Sequence, residues 1–206
     1  MQPLMINITG KKIIIIGGGK IAARKGHVLA KENPEITFIA PQFSDDVRSL
    51  AAEKGYSLIE REAAPSDLAG AFLVVLATND RQINESLANA TEPNQLVCVV
   101  DQAEKGNVLF PAAIKRGHLQ IAISSGGASP KLTRKLKKEW EAQLDESWTA
   151  YTNFLAECRS IIKTLPLSFE EKDKWLAKLL DDRYRKSKEL QEKEIGRLRG
   201  MKKSGL

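Results

Sequence analysis

Gly17, Gly19 and Ala22 stand in G-x-G-x-x-A spacing directly after four consecutive isoleucines, Ile13 to Ile16. That spacing suits phosphate chemistry. The first glycine permits a tight turn, the second lets a pyrophosphate approach the backbone, and the small third residue lets helix and strand pack closely. The N–H groups that open the following helix face the phosphates. The plainer alternative is a glycine-rich turn with no ligand, and the flanking elements decide between the two. A second polar, glycine-rich segment runs from Ser124 through Ser125, Gly126, Gly127 and Ala128 to Ser129-Pro130. Lys131, Arg134, Lys135, Lys137 and Lys138 follow it. Serine and glycine amides at a helix start make a second anion site. Its alternative is an ordinary capped helix with a solvated basic face.

The elements that must position these residues alternate strand and helix. A short β-branched run bounded by glycine reads as a strand buried on both faces, and residues 20–31 read as the helix after it. Further strands are expected over residues 36–40, 56–60, 72–77 and 96–100. Helices are expected over 44–54, with Ser44 as N-cap, and over 82–90. This alternation implies a parallel sheet with ligands at the carboxyl ends of its strands. The cofactor candidates are therefore Gly17, Gly19, Lys20, Ile21, Ala22, Pro41, Gln42, Thr78 and Asn79. Asp80 follows them, and Asp101 ends the fifth strand. A dinucleotide site usually carries Asp or Glu about 20 residues after the glycines. Here the second strand ends Ala40-Pro41-Gln42, so Gln42 or Ser44 is left to bond a ribose. No arginine follows directly to welcome a 2′-phosphate, which favours NAD over NADP.

After Asp101 the pattern changes. Residues 107–113 and 117–125 read as a pair of strands, the second with Leu119, Ile121 and Ile123 on one face. A helix over 130–144 starts with Ser129 as cap and Pro130 in its first turn. Trp148, Tyr151, Phe154, Leu155, Cys158, Ile161 and Ile162 then recur at helical spacing and read as core. Ser168-Phe169-Glu170-Glu171 carries a capping pattern for the next helix.

Charge is unevenly placed within the net +6 of the 206 residues. Residues 1–112 hold 11 Lys and Arg against 13 Asp and Glu, while 113–140 hold 7 against 1. A basic second half suggests an anionic partner. The basic run lacks interleaved aromatics and any helix-turn-helix pattern, which argues against nucleic acid. No apolar run approaches the roughly 20 residues of a membrane span. The first residues lack the order of a secretory signal, so a cytoplasmic location is expected. Cys98 and Cys158 are distant, with no C-x-x-C, and are expected to be reduced thiols. His27 and His118 are isolated, and no metal site is expected.

The segments IIIIGGGKIAARK, FIAPQFSDDV, LVVLATNDRQIN, VCVVDQAEKGNVLFPA and LQIAISSGGASPKLTRKLKKEWE occur in order. With them the chain resembles the precorrin-2 dehydrogenases, the type found at the amino terminus of siroheme synthases. The resemblance implies an α/β fold: a Rossmann-type NAD domain over 1–112, a dimerisation and substrate-pocket segment over 113–147 and a helical domain over 148–206. It implies oxidation of the tetrapyrrole precorrin-2 to sirohydrochlorin with NAD⁺, by a homodimer. Asp101 is then the candidate base. Ser124, Ser125, Gly126, Gly127, Lys131 and Arg134 are the candidates for the substrate's eight carboxylates, beside the nicotinamide. Some relatives also insert Fe²⁺, so a bifunctional dehydrogenase and ferrochelatase is an alternative. A non-catalytic NAD-sensing module is another.

Overall fold

The computed structural model describes residues 1–203, in two compact units, Met1–Phe110 and the part from Pro111 onward. In the first unit, strands β1 (Lys12–Ile16), β2 (Glu35–Ile39), β3 (Ser57–Ile59), β4 (Leu73–Leu76) and β5 (Leu96–Val99) form one parallel sheet. Its order is β3-β2-β1-β4-β5. The isoleucine run sits at the centre of that order and divides between two cores. Ile13 and Ile15 join Phe38, Val75 and Cys98 on one face, whereas Ile14 and Ile16 join Ile39, Val74 and Leu76 on the other. Side chains alternate across a strand, so four apolar residues in a row are stable only with both faces covered.

Helices α1 (Lys20–Leu29) and α2 (Asp45–Lys54) cover the first face with Ala22, Ala23, Val47 and Leu50. Gly26 allows their close approach, since a Cβ there would lie 2.7 Å from the Phe38 ring and 2.8 Å from Leu50. Helix α3 (Arg81–Asn89) covers the second face with Leu87. The chain leaves β1 for β2 on one side and reaches β4 on the other. The crevice where the order reverses opens beyond the ends of β1 and β4, where doubly wound sheets bind ligands.

In the second unit, β6 (Ala112–Arg116) and β7 (Leu119–Ile123) form an antiparallel hairpin, and helix α4 (Pro130–Gln143) follows. The strand expected over 107–113 is displaced. Residues 107–111 are irregular because the Asn107 side chain takes the bonds a ladder would use. Its Oδ1 accepts from Val97 N–H at 2.7 Å, and its Nδ2 donates to the Gln95 carbonyl at 2.8 Å. At the hairpin turn Gly117 has φ +57°, and the Thr152 hydroxyl accepts from His118 N–H at 3.1 Å and donates to the Arg116 carbonyl at 3.1 Å. Thr152 belongs to α5 (Ser147–Thr164), so these bonds seat the turn on that helix.

The helical core gathers Tyr151, Phe154, Cys158 and Ile162 from α5 with Leu179, Tyr184 and Leu198. The latter come from the region of α6 (Phe169–Lys178), α7 (Asp182–Lys186) and α8 (Lys188–Lys203). Ser168 and Glu171 form the expected capping box on α6. Cys98 and Cys158 are both buried thiols, each in its own unit. The expected helical domain reaches residues 204–206, which lie outside the described residues.

Candidate active site

A cleft of about 1090 Å³ opens at the carboxyl ends of β1, β2 and β4. Its wall brings together Gly17, Gly19, Lys20 and Ile21 from the first turn, Pro41 and Gln42 after β2, and Thr78 and Asn79 after β4. Ala22 lies beneath it, fully buried, where α1 meets the sheet. The three glycines do different work. Gly17 has φ +131°, and a Cβ on it would lie 2.5 Å from the Ala77 carbonyl oxygen. Gly18 is pressed against the Gln42 carbonyl, which a Cβ would overlap. A Cβ at Gly19 would meet nothing within 4 Å. The glycine spacing assigns Gly18 no role; the approach of the β2 loop, far away in sequence, gives it one.

Gly19 is also the N-cap of α1, and a glycine has no side chain with which to bond the first helical amides. Helix α3 differs. Asp80 caps α3, its Oδ1 accepting from Gln82 N–H at 2.8 Å and Ile83 N–H at 3.1 Å. The start of α1 is thus left as a positive end that favours an anion. Ser44 stands at the expected N-cap of α2, but its hydroxyl makes no capping bond. That hydroxyl is buried, has no partner among the described residues, and belongs to the cleft wall.

Asp101 lies just past β5 and is not part of the cleft wall. Its carboxylate, 32% exposed, is held from α3. Oδ1 accepts from Asn84 Nδ2 at 3.2 Å, and Oδ2 is 3.3 Å from Arg81 Nε. Asn84 has no exposed surface and also bonds Thr78 in the cleft wall, Thr78 Oγ1 donating to Asn84 Oδ1 at 2.7 Å. Residue spacing gives no sign of this. An asparagine on an amphipathic helix reads as surface, and only its partner 17 positions on reveals otherwise.

The serine and glycine turn before α4 satisfies much of itself. Ser124 Oγ accepts from Gly126 N–H at 3.1 Å, Ser125 Oγ from Ser129 N–H at 2.9 Å, and Ser129 Oγ from Leu132 N–H at 3.2 Å. Gly126 and Gly127 turn with φ +61° and +91°. Fewer open amides therefore remain for an anion than the sequence suggests. Lys135 and Lys137 are paired with Glu139 and Glu141 one turn on. Lys131 and Arg134 make no ion pair among the described residues, although Arg134 Nε donates to the Pro130 carbonyl at 3.3 Å. Also among the described residues, no group of three or more His, Cys, Asp and Glu side chains is placed to hold a metal ion.

Residues 4–112 match a family model described as NAD(P)-binding, 116–143 one for the central part of sirohaem biosynthesis proteins, and 148–194 the SirC C-terminal domain. Precorrin-2 dehydrogenase of Priestia megaterium is 35% identical over 187 residues, covering 91% of this chain and 93% of that protein. The chain belongs to the precorrin-2 dehydrogenase family. The precorrin-2 dehydrogenase of Bacillus subtilis (strain 168) is likewise 35% identical, over 77% of this chain and 98% of its own. The solved structure of SirC, precorrin-2 dehydrogenase, superposes with a TM-score of 0.85 and 34% identity, covering 97% of this chain and all of that one. For a precorrin-2 dehydrogenase the cleft fits a dinucleotide on its own geometry. Gly19 leaves the space a pyrophosphate needs, and among the described residues the α1 amides above it have no side-chain cap and the Ser44 hydroxyl in the wall has no partner.

Proposed function

We propose that this chain oxidises precorrin-2 to sirohydrochlorin, with NAD⁺ as hydride acceptor, on the route to siroheme. The observation that carries this is the uncapped start of α1 over Gly17–Gly19, at the point where the strand order reverses, in a chain of this family. Gly17, Gly19, Lys20 and Ile21 take the pyrophosphate, Ala22 keeps α1 close to the sheet beneath it, Pro41 and Gln42 take a ribose, and Thr78 and Asn79 take the nicotinamide half. NAD is read over NADP because no arginine directly follows β2 to meet a 2′-phosphate.

The reaction removes one hydride and one proton from the tetrapyrrole as conjugation extends. Bound NAD⁺ supplies the hydride acceptor, which no side chain can provide. Asp101 takes the proton as general base. Ser124, Ser125, Gly126, Gly127, Lys131 and Arg134 hold substrate carboxylates. Here the lysine and arginine supply charge, and the turn supplies the amides it has not already used.

A homodimer built through residues 113–147, with 1–112 as nucleotide domain and 148–206 as helical domain, is part of the same proposal. The support is that α4 has no buried residue, and Leu132 and Trp140 on it are 47% and 39% exposed. Light scattering of the intact protein tests it. Among the described residues no helix is long and apolar enough to cross a membrane, and a cytoplasmic location is proposed on that basis and on the family's chemistry. The deciding experiment is anaerobic incubation with precorrin-2 and NAD⁺, followed by visible absorbance. Sirohydrochlorin and NADH should appear in equal amounts. Nucleotide binding without turnover would make the chain a sensing module.

A further inference from the structure

A buried amide is stable only when its polar atoms are paired. Asn84 meets that condition in full. Its Oδ1 accepts from Thr78 N–H at 3.3 Å and from the Thr78 hydroxyl at 2.7 Å. Its Nδ2 donates to the Thr78 carbonyl at 3.3 Å and to Asp101 Oδ1 at 3.2 Å. These four bonds exhaust what an asparagine side chain offers. They also fix its orientation. A backbone N–H only donates and a backbone carbonyl only accepts, so Thr78 dictates which end of the amide is oxygen. Asp101 is therefore always presented with an N–H donor.

The amide joins two strand ends. Thr78 follows β4 and lines the cleft; Asp101 follows β5. The other group on Asp101, Arg81, is 74% exposed, and a solvent-exposed ion pair constrains the carboxylate little. We infer that Asn84 is the positioning residue of the active site, holding the Asp101 carboxylate at a set place relative to the Thr78 loop. This rests on the reading of Asp101 as proton acceptor. Asn84 itself touches no reacting atom; it acts through Asp101.

A double-mutant cycle in the full chain tests it, with turnover measured at saturating precorrin-2 and NAD⁺. Asn84→Ala and Asp101→Asn should each lower kcat tenfold or more. The double variant should be no slower than Asp101→Asn alone, since Asn84 has nothing left to position. Asn84→Asp serves as the second variant should alanine fail to fold. It keeps the shape and both acceptor contacts to Thr78, and loses the donors to Asp101 and to the Thr78 carbonyl. Combined with Asp101→Asn the donor and acceptor of that one bond exchange places, so part of the melting temperature lost in Asn84→Asp should return while kcat stays at the Asp101→Asn level; the Thr78 carbonyl still lacks its donor. An equal fold-loss from the Asn84 change in both backgrounds overturns the inference, because the role would then be structural. So does a variant that changes only NAD⁺ affinity by calorimetry with kcat intact. Near wild-type turnover in Asp101→Asn instead overturns the assignment of the base, and this inference with it.

Discussion

Gly18 lies against the carbonyl oxygen of Gln42, closely enough that a Cβ on it would overlap that atom. Gly19, one residue on, faces open space. Two neighbouring glycines should therefore fail in different ways. Gly18→Ala forces the β2 loop outward and should cost about 1–3 kcal/mol of stability, the usual range for overpacking. Gly19→Asp should leave the melting temperature nearly unchanged and weaken NAD⁺ by about 100-fold or more, because a carboxylate fills and repels the pyrophosphate position. Thermal unfolding and calorimetry on the two variants distinguish them. Unaltered NAD⁺ affinity in a folded Gly19→Asp chain would remove the cleft from the mechanism.

Asp101→Ala should lower turnover by about 100-fold, the lower range for loss of a general base, with NAD⁺ affinity little changed. Asp101 stands outside the cleft wall, which is why binding and turnover should separate here. Steady-state kinetics paired with NAD⁺ titration give the answer. A loss of affinity that accounts for the whole effect would make Asp101 a turn residue.

Replacing Lys131 and Arg134 together with alanine should raise KM for precorrin-2 and flatten its dependence on salt. The KM for NAD⁺ should hardly move. Because Ser124, Ser125 and Ser129 already occupy three of the nearby amides, these two side chains carry a larger share than an open turn would leave them. Initial rates across a range of ionic strength report it. A change confined to the dimer, or to NAD⁺, would place the substrate elsewhere.

Burial pushes the Cys158 thiol up to about 12. The folded chain therefore keeps this proton where the unfolded chain, titrating near its ordinary value of about 8.5, has lost it. Stability from this group is whole below that unfolded value and is lost as pH rises towards 12, by about 1.4 kcal/mol per unit while only the unfolded chain is ionised. Urea unfolding at pH 7 to 10.5 should show the decline. In Cys158→Ala the decline should be shallower, though stability at pH 7 is lower because a buried side chain is shortened. An identical slope in both chains would assign the alkaline loss to other groups.

Much of the fold is legible from short-range pattern. The isoleucine run requires two covered faces, and it has them. The tail residues at helical spacing form one core. What escapes the sequence are contacts that polar side chains make at long range. Asn107 displaces an expected strand by bonding the backbone of residues 95 and 97. Residue spacing gives no sign that Asn84 bonds Asp101, 17 positions on. The role of Gly18 depends on a loop more than twenty residues away. In the turn before α4, composition suggests open amides, but three of them are taken by the hydroxyls of Ser124, Ser125 and Ser129.

The Asn107 displacement has a consequence for how the chain behaves among its copies. A parallel sheet ends in two borders with unspent backbone groups, each a template for a stranger's strand. On one border, β3 is only three residues long. On the other, Val97 of β5 gives its N–H to Asn107 Oδ1 and its carbonyl to the N–H groups of Asn107 and Val108, at 2.9 and 3.1 Å. Gly106 lets that segment lie flush, since a Cβ there would sit 2.5 Å from the Val97 carbonyl oxygen. The chain thus spends the outward N–H and carbonyl of Val97 on its own segment, which closes that point of the border to a neighbour's strand.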